Sequence, residues 1–289
     1  MVKEKSSFSL SDVYKKENRR RRRVIVGIIV FLIYGTFLGG AWLVVRSPFF
    51  QIQKIEFSGN QMVSSDDILA LVKRRVSNDS FGKRALGGEN ILAWPENLSS
   101  DYFRIIPELS GFSIKKDYKK RSIVITVKER QPFGAWCLHK ALMNADGTQM
   151  NADETLINAD ASDCWWFDEE GILFANAMRV EGNLITVVDD YSQKNLGLGS
   201  NILPGEFIPN IFSVFKAVSG SGLSVQEIRL NDINLQEIEV RTYGGLKLYF
   251  GLRFSADNTL AVIQKLKSQS GFDKFQYLDF RVENRAYYK

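Results

Sequence analysis

The chain has one histidine, His139, and two cysteines, Cys137 and Cys164. Histidine exchanges its proton near neutral pH and serves much acid–base catalysis. A single one between two cysteines reads by default as a packed or surface side chain. Structural zinc needs four ligands, and two cysteines with one histidine at spacings of 2 and 25 do not match a finger. Asp168-Glu169-Glu170 is the second candidate, because paired carboxylates can cleave glycosidic bonds. The triplet runs into Gly171, however, and reads as an exposed acidic hairpin turn. Gly197-Leu198-Gly199-Ser200 lacks the helix that a phosphate-cradling loop requires. No catalytic, cofactor-binding or metal-binding residue is assigned, and an enzyme is not the expected class.

Charge placement narrows the partners. Residues 1–23 carry nine Lys and Arg against three Asp and Glu, so of the formal +5 they hold +6 and the other 266 residues sum to −1. A protein gripping nucleic acid would carry its positive charge on its folded part, so no nucleic-acid partner is expected. From Val24 to Val45 there are 22 residues without a charge. At 1.5 Å per residue a helix of that length is roughly 33 Å long, about one hydrocarbon core. The run Arg19–Arg23 precedes it and only Arg46 follows directly. The positive-inside rule then predicts a cytoplasmic tail over 1–23, a single transmembrane helix over 24–45, and the bulk of the chain extracytoplasmic. A cleavable signal is the alternative, but its apolar region is shorter and ends in a small-x-small site, whereas Trp42 and Leu43 follow Gly40 and Ala41 here. Both cysteines fall on the outer side, each beside a tryptophan, Trp136 and Trp165. Either a disulfide pinning two neighbouring strands or two thiols in a core fits that placement.

Gln51–Ser58 carries Ile52, Ile55 and Phe57 among polar residues and closes on Gly59-Asn60, a strand and turn. Ser64-Ser65-Asp66-Asp67 offers acceptors for a helix start, followed by Ile68, Leu71, Val72 and Val76 at helical spacing. Residues 78–90 read as a loop, and a short helix is expected over Leu98–Ile106, capped by Asn97 and stopped by Pro107. Ser113–Lys116 and Ile123–Lys128 flank a basic turn, with Ile123, Ile125 and Val127 on a buried face. Beyond Pro132 the pattern changes to short strands around Phe133–Leu138, Trp165–Phe167, Ile172–Phe174, Ile185–Val188, Val225–Leu230, Ile238–Thr242 and Leu246–Leu252. Helices are expected from Pro209 to Val218 and after Ser255, and a closing strand from Phe275 to Val282. The class is α+β, and the second part is strand-rich with two flanking helices.

Three seven-residue copies begin at Met143, Met150 and Ile157, each continuing Asn-Ala-Asp. They lack the glycines of calcium-binding turns and read as a polar loop grown by duplication, within an insertion at 138–163. Trp165, Trp166 and the aromatics of the closing strand read as core. A closing strand at a sheet edge would leave unpaired amides and carbonyls, to which a partner's strand can add.

Several strings in this order resemble the FtsQ/DivIB family of bacterial cell-division proteins. Ile55-Glu56-Phe57-Ser58-Gly59-Asn60 before a helix looks like the opening of that family's POTRA domain. Val127-Lys128-Glu129-Arg130-Gln131-Pro132-Phe133-Gly134-Ala135-Trp136 is similar to the junction leading into its β domain. Trp166-Phe167-Asp168-Glu169-Glu170-Gly171 and Tyr277-Leu278-Asp279-Phe280-Arg281 resemble a turn and a late strand of that β domain. The resemblance implies a POTRA domain over 49–130 (β-α-α-β-β) and a β domain over 131–289. It implies a bitopic, non-enzymatic scaffold at the division septum that binds FtsB- and FtsL-like bitopic proteins and takes no small-molecule substrate. Its partner contact carries over to Asp279, Arg281, Val282, Glu283, Asn284, Arg285, Ala286, Tyr287 and Tyr288. A POTRA protein of another envelope assembly and a membrane-anchored envelope hydrolase are the alternative readings.

Overall fold

A computed structural model describes residues 10–78, 81–96, 105–139, 162–178, 185–192 and 195–289. The seven-residue repeat, apart from Ser162 and Asp163, and most of the helix expected over 98–106 lie outside the described residues. Contacts divide the chain into two units. The first comprises Met1–Ser58, Ser65–Glu96 and Ile114–Ile125; the second comprises Gly59–Ser64, Asn97–Ser113 and Thr126–Lys289.

In the first unit, α1 (Leu10–Arg46) is one unbroken helix of 37 residues. Its stretch Arg21–Arg46 is long and apolar enough to cross a membrane, and its side chains are exposed throughout. Pro48 cannot continue the ladder of backbone bonds, and Ser47 caps a short 3-10 turn over Pro48–Phe50 by accepting from the Phe49 amide. Then come β1 (Lys54–Ser58) and α2 (Ser65–Asn78). Asp66 and Asp67 occupy the first turn of α2, where the helix dipole favours negative charge, and Ile68, Leu71, Val72 and Val76 are its buried face.

A further helix, α3 (Phe81–Leu86), stands where residues 78–90 read as a loop. Gly82, Gly87 and Gly88 dominated that reading, yet Lys83-Arg84-Ala85-Leu86 are all strong helix formers. Gly87, at φ +77°, is the stop rather than a sign of a loop, and its amide donates to Lys83 O. Trp94 is buried and donates its indole N–H to Gly88 O at 2.7 Å.

Strands β2 (Leu109–Asp117) and β3 (Ser122–Glu129) follow, and β2 starts four residues before the expected Ser113. The three strands form one sheet in the order β1-β3-β2. The central strand carries the buried face Ile123, Ile125 and Val127, as its alternation predicts.

The second unit holds a nine-stranded sheet. Its strands are β4 (Gly134–His139), β5 (Ser162–Phe167), β6 (Leu173–Asn176), β7 (Thr186–Asp190), β8 (Val225–Leu230), β9 (Glu237–Thr242), β10 (Lys247–Gly251), β11 (Tyr277–Phe280) and β12 (Tyr287–Tyr288). Their spatial order is β12-β11-β10-β9-β8-β7-β4-β5-β6. Helix α4 (Ile208–Gly220) joins β7 to its parallel neighbour β8, and α5 (Thr259–Lys267) lies between β10 and its parallel neighbour β11. Parallel neighbours need such a crossover, so the two helices are connections as well as cover. Ile211, Val214, Phe215 and Val218 of α4 and Ile263 and Leu266 of α5 join Trp136, Val188, Ile228, Val240, Leu248, Phe250 and Leu278 in one core.

Partners in register share a face, and the opposite face carries one continuous row across eight strands. It runs Cys164, Cys137, Asp189, Arg229, Glu239, Tyr249, Asp279, Tyr287. The strand alternation is therefore sharp: apolar toward the helices, largely polar on the other side.

Candidate functional site

Two places gather the residues that the sequence motifs single out. The first is the pair Glu129-Arg130 where β3 ends. Glu129 is buried, and its Oε1 accepts from the backbone amides of Gln61 at 2.8 Å, Met62 at 3.0 Å and Val63 at 2.9 Å. Burial pushes its carboxyl up, but the amides of Val63, Met62 and Gln61 together outweigh this and hold it below the ordinary value. Those amides follow Gly59, whose φ is +88°; a Cβ there would lie 2.2 Å from Val127 O. Only glycine can make this turn so close to β3.

Arg130 takes the other direction. Its Nε donates to Pro107 O at 3.0 Å, and Nη1 pairs with Asp168 Oδ2 and, at 3.0 Å, with Glu170 Oε2. Asp168 Oδ1 accepts from the amides of Glu170 and Ile172, each at 3.0 Å, closing the turn that Gly171 completes at φ +75°. Asp168 is buried, which corrects the exposed acidic turn expected from sequence; Glu169 and Glu170 are exposed. The correction has a simple cause: a guanidinium 38 residues upstream compensates the buried charge, and no local pattern shows that. Asp168 is thus held from both oxygens in a structural role.

The second place is the sheet edge at β12. Asp279 and Arg281 are joined to each other: Arg281 Nε donates to Asp279 Oδ1 at 2.9 Å and Nη2 to Oδ2 at 2.6 Å. This hydrogen bonding lowers the Asp279 pKa and raises that of Arg281. Arg281 also reaches Glu237 at 2.9 Å and lies over the Tyr249 ring. Both residues therefore belong to the polar sheet face, one strand inside the edge. Val282, Glu283, Asn284 and Arg285 form the turn between β11 and β12, with Asn284 at φ +57° and the Arg285 amide donating to Val282 O. Ala286 packs on the core, Tyr288 lies against Phe275 with ring centroids 4.9 Å apart, and Tyr287 is 46% exposed. The two-residue strand β12 was not anticipated; its signal is only the aromatic pair Tyr287-Tyr288. Because Lys289 N–H donates inward to Tyr277 O, antiparallel alternation turns the N–H and C=O of Tyr288 outward.

Cys137 and Cys164 stand directly opposite on β4 and β5 and are disulfide-bonded, with Cα atoms 4.0 Å apart. His139, at the end of β4, is paired with Asp189 at 2.6 Å and stacked on Tyr191. Tyr191 in turn contacts Glu227 and lies beneath Arg229. Burial pushes the Tyr191 hydroxyl up to about 12 and raises Glu227 as well. A phenol held that high does not ionise near neutral pH and is a poor base there. Sequence reading missed this cluster because Asp189, Glu227 and Arg229 come from strands whose parallel pairing it did not contain. Among the described residues no group of three or more His, Cys, Asp or Glu is placed to hold a metal ion.

No family model and no curated protein matches the chain.

Proposed function

We propose that the chain is a single-pass scaffold of the bacterial division machinery, of the FtsQ/DivIB kind, that works by binding rather than catalysis. In this reading α1 anchors it with residues 1–23 in the cytoplasm, residues 49–130 are a POTRA domain, and residues 131–289 are the β domain. Its place is the division septum, and its partners are FtsB- and FtsL-like bitopic proteins. The β-α-α-β-β order and the motif strings that meet at Glu129-Arg130 support the reading. The observation that carries it is the outward-facing N–H and C=O of Tyr288 on the edge strand β12, a template for a partner's strand.

The test uses the full chain in detergent and the outer segments of FtsB- and FtsL-like proteins from the same cell. Tyr288→Pro removes the outward N–H while leaving the inward pairs with β11, which edge strands tolerate. Binding should fall at least tenfold in this variant and vanish in a chain ending at Val282. Binding retained by both variants would move the interface elsewhere, and no binding by the unaltered chain would defeat the divisome reading.

A further inference from the structure

The turn between β2 and β3, Asp117-Tyr118-Lys119-Lys120-Arg121, sits at the exit of the long apolar helix. Gln53 N–H donates to Arg121 O at 2.8 Å, and Arg121 Nη1 donates to Pro48 O at 3.0 Å. Pro48 is two residues past Arg46, so no more than roughly 7 Å of chain separates it from the helix end. The polar layer on each side of a bilayer's hydrocarbon core is roughly 5–7 Å deep. A helix that spans a membrane therefore delivers this turn into the headgroup layer.

The turn is built and charged for that place. Asp117 Oδ1 accepts from the amides of Lys119 and Lys120, each at 3.0 Å, so the carboxylate holds the backbone of the tip. Arg121 adopts φ +52°, a left-handed conformation costly for any residue that carries a Cβ, and its guanidinium donates to Pro48 O. Lys119 and Lys120 are exposed, Tyr118 is 43% exposed and Phe49 is 59% exposed. Tyrosine is an amphipathic side chain suited to the membrane interface. Within the turn Lys119, Lys120 and Arg121 stand with one carboxylate, Asp117, and on the neighbouring strand β1 Lys54 is paired with Glu56 at 2.7 Å. The turn Asp117–Arg121 therefore carries a net charge of +2.

We propose that this basic turn docks on anionic phospholipid headgroups of the leaflet from which α1 emerges. The contact fixes the tilt of the first unit against the membrane. It rests on the reading of α1 as a membrane anchor and not on the identity of any protein partner.

The test places the full chain in nanodiscs of phosphatidylcholine alone or mixed with phosphatidylglycerol. Lysine acetylation is then followed by mass spectrometry. At low salt Lys119 and Lys120 should react about fivefold more slowly in the anionic discs, the factor corresponding to about 1 kcal/mol for each basic residue near such a surface. Lys265 and Lys274, exposed in the second unit, should not change. The difference should disappear at about 1 M salt, where the screening length is about 3 Å. Equal rates in both discs, with the chain incorporated, would overturn the docking proposal. Equal protection in neutral discs on adding inorganic phosphate would overturn it in favour of a free-anion site. A chain that fails to enter either disc would instead refute the anchor reading, and this proposal with it.

Discussion

Glu129→Ala removes a carboxylate that holds three consecutive amides, and the consequence can be worked from the contacts. Val63 is buried, and its N–H has Glu129 Oε1 at 2.9 Å as acceptor. A hydrogen bond to a charged group contributes about 1.5–3 kcal/mol, and a buried amide left without an acceptor pays the desolvation cost in full. Exchange of the Val63 amide by opening of that bond should therefore accelerate about 10- to 100-fold. Gln61 and Met62 are partly accessible and should accelerate less, because water replaces part of the loss. Hydrogen exchange of the detergent-solubilised full chain, read on peptides spanning 60–64, measures this directly. Unchanged exchange at Val63 in a folded variant would refute the reasoning. The same group predicts a pH dependence. Its folded value lies below its unfolded one, so the unfolded state binds more protons in the window between them. The contribution is complete above the ordinary glutamate range near about 4.3 and is lost as pH falls through the folded value. Glu129→Gln keeps one oxygen but turns an amide N–H₂ toward Met62 N–H, and it should flatten that part of the acid limb of thermal stability.

Arg130→Met should destabilise the second unit by about 3–5 kcal/mol, because Asp168 remains buried without its cation. Thermal unfolding followed by circular dichroism reads this, and a loss below about 1 kcal/mol would mean that the pair is worth no more than an exposed one. Opening the Cys137–Cys164 bond by Cys→Ser at both positions frees a sequence separation of 27 residues. The chain-entropy estimate is about 3.5 kcal/mol, a fall of about 10 °C in the unfolding temperature. An unchanged transition would show that the β4–β5 pairing does not depend on the bond. Gly59→Ala places a Cβ 2.2 Å from Val127 O at φ +88° and should cost about 3 kcal/mol, seen as faster proteolysis of residues 59–64. Wild-type resistance would show that this turn relaxes freely.

Local patterns carried much of this molecule. The 22-residue run without charge could be only a very long apolar helix, and the spacing Ile68, Leu71, Val72, Val76 placed the buried face of α2 correctly. The alternation Ile123, Ile125, Val127 did the same for β3, because a period of two residues is a property of any single strand. Legibility ended where a residue's meaning depends on a distant group. Glycine content hid α3, and Asp168 looked like a solvated turn because its partner Arg130 lies 38 residues away. Asp279 lies on β11 and Arg281 just past its end, two residues apart, so their pairing was open to inspection, but the position of β11 one strand inside the edge was not.

The amino-acid sequence by itself determined the apolar stretch of α1, the buried faces of α2 and β3 and the type of most strands, since each follows from spacing within about twenty residues, but not α3 or β12. Tertiary structure alone decided which strands are parallel neighbours, that Cys137 meets Cys164, and that Glu129 and Arg130 each answer a distant segment. It also decided that a two-residue strand closes the large sheet. Pairing partners are chosen by the closure of the whole sheet around the core of α4 and α5, and that choice is not encoded in any one strand.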